Sequence, residues 1–220
     1  MTESPSMHPE LYKAAKSGAF QSLITTLENG EDLFHQTTPK GNNILHVAAQ
    51  YEQVNFIENL LQRPWGPSLL RQGNSKGDTP LHIAATVGSY KSVQVFINLA
   101  KLDCFVENGQ VDACKELLRK PNLQKDTALH YAVRGGHESV VKLLIEEDPQ
   151  LCDVTNAADE SPLYLATDRG HLDIMELILS ASSLPSSHKG PKGLTALHAA
   201  ITRPRAGAKA KRLDQIPNPG

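Results

Sequence analysis

The sequence predicts an all-α solenoid, in which pairs of antiparallel helices stack side by side and are joined by β-turns or short hairpins. Three observations lead to this fold class. A short motif recurs along most of the chain, its spacing is nearly constant, and each copy contains two segments with apolar residues three and four positions apart. The leucine that marks each copy is Leu11, Leu45, Leu81, Leu129, Leu163 and Leu197, so the successive steps are 34, 36, 48, 34 and 34 residues.

The first helix of each unit contains residues with separate physical roles. Thr79 is a favourable N-cap, because its hydroxyl can accept a hydrogen bond from an amide that the helix leaves unpaired. Pro80 follows at the first helical position, where its missing N–H costs nothing. Leu81, Ala84 and Ala85 then fall on one face, and the small alanines let a second helix approach closely. A glycine that tolerates positive φ is predicted to end this helix at Gly18, Gly88, Gly136 and Gly170.

The second helix of each unit begins after this glycine and carries apolar residues at the same spacing. They are Ile57, Leu60 and Leu61; Val93, Phe96 and Ile97; Val141, Leu144 and Ile145; and Met175, Ile178 and Leu179. In the second copy Glu52 takes the place of the glycine, so its turn is predicted to be less favourable. Turn-forming residues such as Asn74–Asp78 lead into the next unit. A single unit cannot bury both of its faces, so neighbouring units must stack.

The recurring motif Thr-Pro-Leu-His-x-Ala, at Thr79–Ala84, resembles the ankyrin repeat, whose period is about 33 residues. The resemblance implies an ankyrin-repeat solenoid. It also implies that the motif histidine bonds the capping residue and a backbone carbonyl of the adjacent repeat, so His46, His82, His130 and His198 are expected to be structural. The residues assigned to the structural motif are Thr79, Pro80, Leu81, His82, Thr127, Leu129, His130, Leu163, Leu197 and His198.

The repeats divide the chain into three parts. Residues 1–6 are predicted to be disordered, residues 7–202 to form five repeats and a partial sixth, and residues 203–220 to be a basic disordered tail. The long step between the third and fourth copies predicts an insertion at about 101–121, made of an extended second helix, a loop at 107–109 and an additional helix between Val111 and Leu118. This insertion is either a spacer packed outside the array or a protruding element that a partner grips.

Composition excludes several other classes of protein. The 220 residues are 40% hydrophobic and 21% charged, which fits neither a disordered polymer nor a membrane bundle. Lys and Arg total 22 against 24 Asp and Glu, so the net charge of −2 gives little attraction for nucleic acid. Cys104, Cys114 and Cys152 have neither the even number of a disulfide framework nor the spacing of a zinc site. Reduced thiols in a cytosol-like compartment are therefore predicted.

The sequence lacks the motifs of catalysis, and we predict no enzyme activity, cofactor, metal or small-molecule substrate. It contains no phosphate-binding loop, paired-histidine zinc motif or nucleophile elbow. Nine histidines are present, but equivalent residues of neighbouring repeats should lie about 10 Å apart, the distance between packed helices. Metal ligands must converge within about 2.0–2.3 Å of one ion, so these histidines cannot share one.

Recognition of another protein is the function that remains. In ankyrin arrays the turn tips and the exposed side of the first helix form a concave groove. The resemblance thus assigns partner binding to Lys40, Asn42, Gln50, Tyr51, Lys76, Asp78, Thr86, Val87, Gln124, Asp126, Arg134, Glu160, Asp168 and Arg169. Tyr51 and Arg134 are of residue types enriched at binding hot spots. Because both are expected to be exposed, the double substitution Tyr51→Ala with Arg134→Ala is predicted to weaken binding without lowering the melting temperature.

The resemblance narrows to the plant "accelerated cell death" type of ankyrin protein, on the segments 9–18, 41–49, 77–82 and 111–115. Members of this group carry a cytosolic ankyrin array followed by a C-terminal membrane domain, and they are associated with defence, cell death and stress signalling. The resemblance therefore implies a scaffold in signal transduction, located in the cytoplasm or at the cytosolic face of a membrane. The sequence departs from the family pattern near Arg203, so the resemblance does not extend to the membrane domain.

Two other interpretations stay open. In the first interpretation, the chain is the soluble cytosolic portion of a truncated membrane-anchored ankyrin protein. In the second it would be a nucleic-acid-linked regulator, because residues 186–220 hold seven Lys or Arg and one Asp, a net charge of +6. Gly, Ala and Pro dilute those basic residues, which argues against a nucleic-acid partner.

Overall fold

The computed structural model describes residues 6–26, 34–103, 113–181, 190–193 and 195–196. Within these ranges the regular structure is helical, apart from isolated bridge residues such as the pair Ser6 and Thr37. The predicted all-α fold class is therefore confirmed. The loop predicted at 107–109, the motif residues Leu197 and His198, and the basic tail lie outside the described residues.

Each repeat contributes a first helix and a second helix. The first helices are α1 (Pro9–Ser17), α3 (Ile44–Gln50), α6 (Pro80–Val87), α9 (Ala128–Gly135) and α11 (Pro162–Arg169). The second helices are α2 (Phe20–Thr26), α4 (Val54–Leu61), α7 (Tyr90–Asp103), α10 (Glu138–Glu147) and α12 (Leu172–Ala181). Each first helix contacts the first helix of the next repeat, and the second helices do the same, so the chain forms two layers of stacked helices.

The helix ends follow the predicted signals. The N-caps of the later first helices have extended backbone and are Asn43, Thr79, Thr127 and Ser161. The predicted glycines end their helices in the left-handed conformation, with φ of 76°, 77°, 71° and 71° at Gly18, Gly88, Gly136 and Gly170. Glu52 adopts φ 55° at the equivalent position, which a side chain with a Cβ rarely does. The prediction of a less favourable turn in the second copy is confirmed.

The core lies between the two layers. The marker leucines Leu45, Leu81 and Leu129 are fully buried, and burying such a side chain contributes roughly 1.5–3 kcal/mol. The predicted apolar residues of α4, α7 and α10 are buried as well. Leu179 of α12 differs, because it is 49% exposed. Its side of α12 meets no further second helix within the described ranges.

A third short element follows several second helices, and the sequence did not reveal that it recurs. These elements are α5 (Gly66–Leu70), α8 (Ala113–Arg119) and the 3₁₀ helix Pro149–Asp153. Each buries an adjacent pair of side chains just before the turn: Leu69 and Leu70, Leu117 and Leu118, and Leu151 and Cys152. The helix predicted within the insertion is α8. It is the counterpart of the elements in the neighbouring repeats, and its apolar side is packed into the array rather than protruding.

The turns between repeats are joined by backbone hydrogen bonds. The pairs are Ser75 N with Lys40 O at 3.0 Å, Leu123 N with Lys76 O at 3.0 Å, and Ala157 N with Gln124 O at 2.8 Å. Each donor lies four residues before an N-cap, and the equivalent positions of the second and sixth copies are Pro39 and Pro191. Proline has no N–H, so these two positions cannot donate such a bond.

Candidate partner-binding surface

The repeat histidines belong to the scaffold that positions the surface. Nε2 of each ring bonds a backbone carbonyl oxygen at the next repeat boundary: His46 to Asp78 at 2.7 Å, His82 to Asp126 at 3.0 Å, and His130 to Glu160 at 3.2 Å. The capping residue's amide donates to Nδ1 at 3.2 Å, so Nε2 carries the proton and donates. Burial lowers the pKa of His46 and of His130 to about 4, so both rings are neutral near pH 7. The contacts that the resemblance implies for these three histidines are present in the structure.

Neither a metal cluster nor an activated thiol is found in the described part of the chain. No group of three or more His, Cys, Asp or Glu residues there is placed to hold a metal ion. Cys114 and Cys152 are buried, and burial raises the pKa of the Cys152 thiol to about 12. A thiol with that pKa is a poor nucleophile at neutral pH. Cys104 lies outside the described residues.

The predicted partner-binding residues are not equally accessible. We call the surface formed by α1, α3, α6, α9 and α11, together with the turns before them, the first-helix face. The exposed residues of the predicted set on this face are Lys40, Gln50, Lys76, Thr86, Gln124, Asp168 and Arg169. The half-buried ones are Asn42, Tyr51, Val87, Arg134 and Glu160. Asp78 and Asp126 are buried.

Asp78 and Asp126 are turned into the protein rather than towards a partner. They are only 4% and 5% exposed. The Asp78 carboxylate accepts hydrogen bonds from Asn122 Nδ2 at 2.7 Å and from the Tyr131 hydroxyl at 3.1 Å. The Asp126 carboxylate accepts from Arg134 Nη1 at 2.7 Å. A buried carboxylate needs such partners, and these groups use the acceptor positions that a binding protein would have required. The structure therefore does not support direct partner contact by these two residues.

Arg134 is held in a cluster of the protein's own charges, which we call the Tyr131 cluster and which comprises Asp78, Asp126, Tyr131, Arg134 and Glu160. The guanidinium bonds Asp126 at 2.7 Å and Glu160 at 3.1 Å and lies 5.9 Å from the centre of the Tyr131 ring. Burial, with the neighbouring Asp78 carboxylate, raises the pKa of Tyr131 to about 12. Burial of Asp126 acts to raise its pKa, but the hydrogen bonds from Arg134 and Asn156 and the charge of Arg134 together outweigh it, and the pKa is lowered.

The first two repeats contain a more open group, the Tyr51 cluster, which comprises Tyr12, Lys16 and Tyr51. The two hydroxyl oxygens lie 3.2 Å apart, and Lys16 Nζ is 5.1 Å from the centre of the Tyr51 ring. The hydrogen bond with Tyr51, followed by burial, raises the pKa of Tyr12. Tyr12 is 36% exposed and Lys16 is exposed. None of the ion pairs found among the described residues involves Lys16.

Sequence reasoning found Tyr51 but missed its two partners. Tyr12 takes the place of the motif histidine in the degenerate first copy, and Lys16 takes the place of Gln50. The alignment of Leu11 with Leu45 in the sequence is enough to identify both positions. The contact itself depends on packing between α1 and α3, which no single copy of the motif reveals.

A framework that repeats while its exposed residues differ from copy to copy defines the class: a helical repeat protein built to recognise other macromolecules. Comparison with known families agrees. The profile for ankyrin repeats, in three copies, matches residues 11–105 and 102–185, and the chain belongs to the ankyrin repeat family. Ankyrin repeats mark it as a protein-interaction module.

Relatives of known name include both plant and animal proteins. Protein ACCELERATED CELL DEATH 6 of Arabidopsis thaliana is 26% identical over 98% of this chain and 34% of its own length. A putative E3 ubiquitin-protein ligase of the same plant is 25% identical over 79% of this chain and 37% of its own length. The human transient receptor potential cation channel subfamily A member 1 is 30% identical over 54% of this chain and 9% of its own length.

The chain thus spans about a third of the length of the two plant relatives. Among the described residues, no helix is both long enough and apolar enough to cross a membrane. The family resemblance suggested by the sequence is confirmed by the match to the Arabidopsis cell-death protein over nearly the whole chain.

Proposed function

We propose that the chain is a non-catalytic protein-binding module that uses its first-helix face. The observation that carries this proposal is the contrast between scaffold and surface. His46, His82 and His130 make the same two contacts in successive repeats, whereas the position four residues after each histidine changes from repeat to repeat. That position holds Gln50, Thr86 and Arg134 in turn. A standard interface of about 800 Å² per partner would extend over three or four adjacent repeats.

A role in plant defence or stress signalling is the finer part of this proposal. Its support is the similarity to an Arabidopsis protein whose name refers to accelerated cell death, over 98% of this chain. The corresponding location is the cytoplasm or the cytosolic face of a membrane. Disrupting the gene in a plant that carries it tests this part: we expect altered lesion formation after pathogen challenge. Unchanged lesions would remove the assignment to defence while leaving partner binding intact.

Affinity measurements with surface variants test the binding proposal itself. Proximity labelling with the full chain identifies candidate partners, and each purified candidate is titrated against the chain. We expect Gln50→Ala with Tyr51→Ala to weaken binding by about tenfold or more, since tyrosine is a frequent hot-spot residue. The matched control is Lys91→Ala with Gln94→Ala, which changes two exposed residues of α7 on the second-helix side.

The comparison of the two pairs is decisive if both variants melt at the wild-type temperature. Loss of affinity in the α7 pair, with no change in the Gln50 and Tyr51 pair, would move the interface to the second helices. Arg134→Ala is unsuitable for this test, because its guanidinium binds two carboxylates of the protein itself. Contrary to the prediction from the sequence, replacement of Arg134 is therefore expected to lower the melting temperature.

A further inference from the structure

We infer that the Tyr51 cluster receives a carboxylate from an acidic segment of the partner. This inference rests on the proposed function and names the chemistry of one position on the same surface. Two features support it: the protein's own use of carboxylates around a similar cation–tyrosine pair, and the unmatched hydrogen-bond donors of Tyr12, Lys16 and Tyr51.

The Tyr131 cluster shows what a tyrosine and a cation bind in this molecule. In both clusters a cationic group lies over a tyrosine ring, at 5.9 Å for Arg134 and 5.1 Å for Lys16. In the Tyr131 cluster the hydroxyl donates to Asp78 at 3.1 Å, and the guanidinium donates to Asp126 at 2.7 Å. Carboxylates of the chain itself thus satisfy both donors.

The Tyr51 cluster has the donors without the carboxylates. The hydroxyls of Tyr12 and Tyr51 share one hydrogen bond, so one hydroxyl proton is used between them and the other is available to an external acceptor. The Lys16 ammonium adds three donors and forms none of the ion pairs found among the described residues. A carboxylate placed between the ammonium and the free hydroxyl proton would receive charge-assisted hydrogen bonds from both.

The charges around the Tyr51 cluster balance, so they do not attract a densely charged polyanion. Lys13 lies one helical turn before Lys16 and is exposed. Two exposed carboxylates of the same repeats, Glu10 and Glu52, form no ion pair with Lys13 or Lys16 within the described ranges. They would repel a densely charged polyanion more than a single acidic side chain. An acidic protein segment therefore fits this position better than nucleic acid does.

Selection of random displayed peptides against the full chain supplies the probe. The strongest binder is synthesised, and each of its Asp or Glu residues is replaced in turn by Asn or Gln. We expect one such replacement to weaken binding to the wild-type chain by about tenfold, the size of a hot-spot contact. In Lys16→Gln the same replacement should change binding by less than about twofold, because the two groups no longer interact.

Matched variants separate this contact from general effects of charge. Tyr51→Phe should weaken the same peptide and Lys91→Gln, an exposed change on α7, should not. Equal sensitivity of the acidic residue in the wild type and in Lys16→Gln would overturn the inference. The inference would also be overturned if a short single-stranded DNA bound the wild-type chain more tightly than the peptide does and lost that binding in Lys16→Gln. The Tyr51 cluster would then bind phosphate rather than carboxylate.

The two proposals fail in different ways. Peptides that depend on Gln50 and Tyr51 but tolerate replacement of every acidic residue leave the binding function standing and refute the carboxylate. Peptides that are indifferent to all substitutions on the first-helix face refute both. Melting curves of each variant confirm that a loss of binding does not come from loss of the fold.

Discussion

The Tyr51 and Tyr131 clusters both place a cationic side chain over a tyrosine ring on the first-helix face, and they differ in what surrounds that pair. In the Tyr131 cluster three carboxylates occupy the donors of Tyr131 and Arg134. In the Tyr51 cluster the hydroxyls meet each other, and Lys16 lies exposed above the ring. Residue type alone therefore does not identify a binding hot spot. What decides is whether the chain supplies its own counter-charges.

Lowering the pH tests the buried repeat histidines, which belong to the scaffold beneath both clusters. We expect it to have the largest effect on the free energy of unfolding. Unfolded imidazoles protonate near pH 6.5, whereas burial lowers the pKa of His46 and His130 to about 4 in the folded protein. Their contribution is fully present above pH 6.5 and falls as the pH drops to about 4, because the unfolded state then binds more protons. The free energy of unfolding should fall by up to about 3 kcal/mol for each histidine.

Denaturant unfolding at several pH values between 6.5 and 4 measures this loss. Asp126 adds a second, more acidic component: its lowered pKa means that its contribution is lost only as the pH falls below the ordinary aspartate range. A free energy of unfolding that stays constant across the histidine range would show that the rings are protonated in the folded state, and would contradict the hydrogen-bond pattern described for Nδ1.

Removing the cation separates the two clusters most clearly. Arg134→Ala leaves the buried Asp126 carboxylate without its ionic partner, so we expect the free energy of unfolding to fall by about 2–3 kcal/mol. Lys16→Ala removes an exposed ammonium and should change it by less than about 0.5 kcal/mol. Thermal unfolding of the two variants side by side provides the comparison. Similar losses in both would mean that the Tyr51 cluster is also internally satisfied.

Removing one hydroxyl gives a smaller contrast of the same kind. Tyr131→Phe deprives Asp78 of one donor in a buried position, and about 1 kcal/mol of stability should be lost. Tyr51→Phe removes one hydroxyl and breaks the exposed hydrogen bond with Tyr12, which should alter stability by less than about 0.5 kcal/mol. Chemical denaturation resolves both values. A larger loss for Tyr51→Phe than for Tyr131→Phe would reverse the assignment of open and closed clusters.

The smallest expected effect is a gain at the residue next to Tyr51. Glu52 has φ 55°, where the other repeats use glycine, so Glu52→Gly should relieve strain and raise the free energy of unfolding by about 0.5–1 kcal/mol. The reverse change beside the Tyr131 cluster, Gly136→Ala, should lower it, because φ is 71° there. Melting temperatures that shift the other way in either variant would refute the role of backbone conformation.

The sequence predicted what depends on a single copy of the motif. The helix pairs, the N-caps such as Thr79, the turn glycines and the strained Glu52 are local features, and neighbouring residues alone determine them. It did not predict that Asp78 is buried or that Arg134 is paired, because their partners come from other repeats, at Tyr131 and at Glu160. Aligned copies show which positions are equivalent and leave open which side chains meet.

The turn hydrogen bonds have a mechanical consequence. Three backbone hydrogen bonds link the turns from the second to the fifth copy. Prolines at positions 39 and 191 cannot donate the equivalent hydrogen bonds at the two ends of this series. On one side the gap is bridged differently, by the Met7 amide donating to Thr37 at 2.7 Å. On the other side Pro191 cannot donate such a bond, so among the described residues this series of turn-to-turn hydrogen bonds ends at Ala157. The turns joined by the three bonds are therefore expected to separate last when the array is pulled apart by its ends.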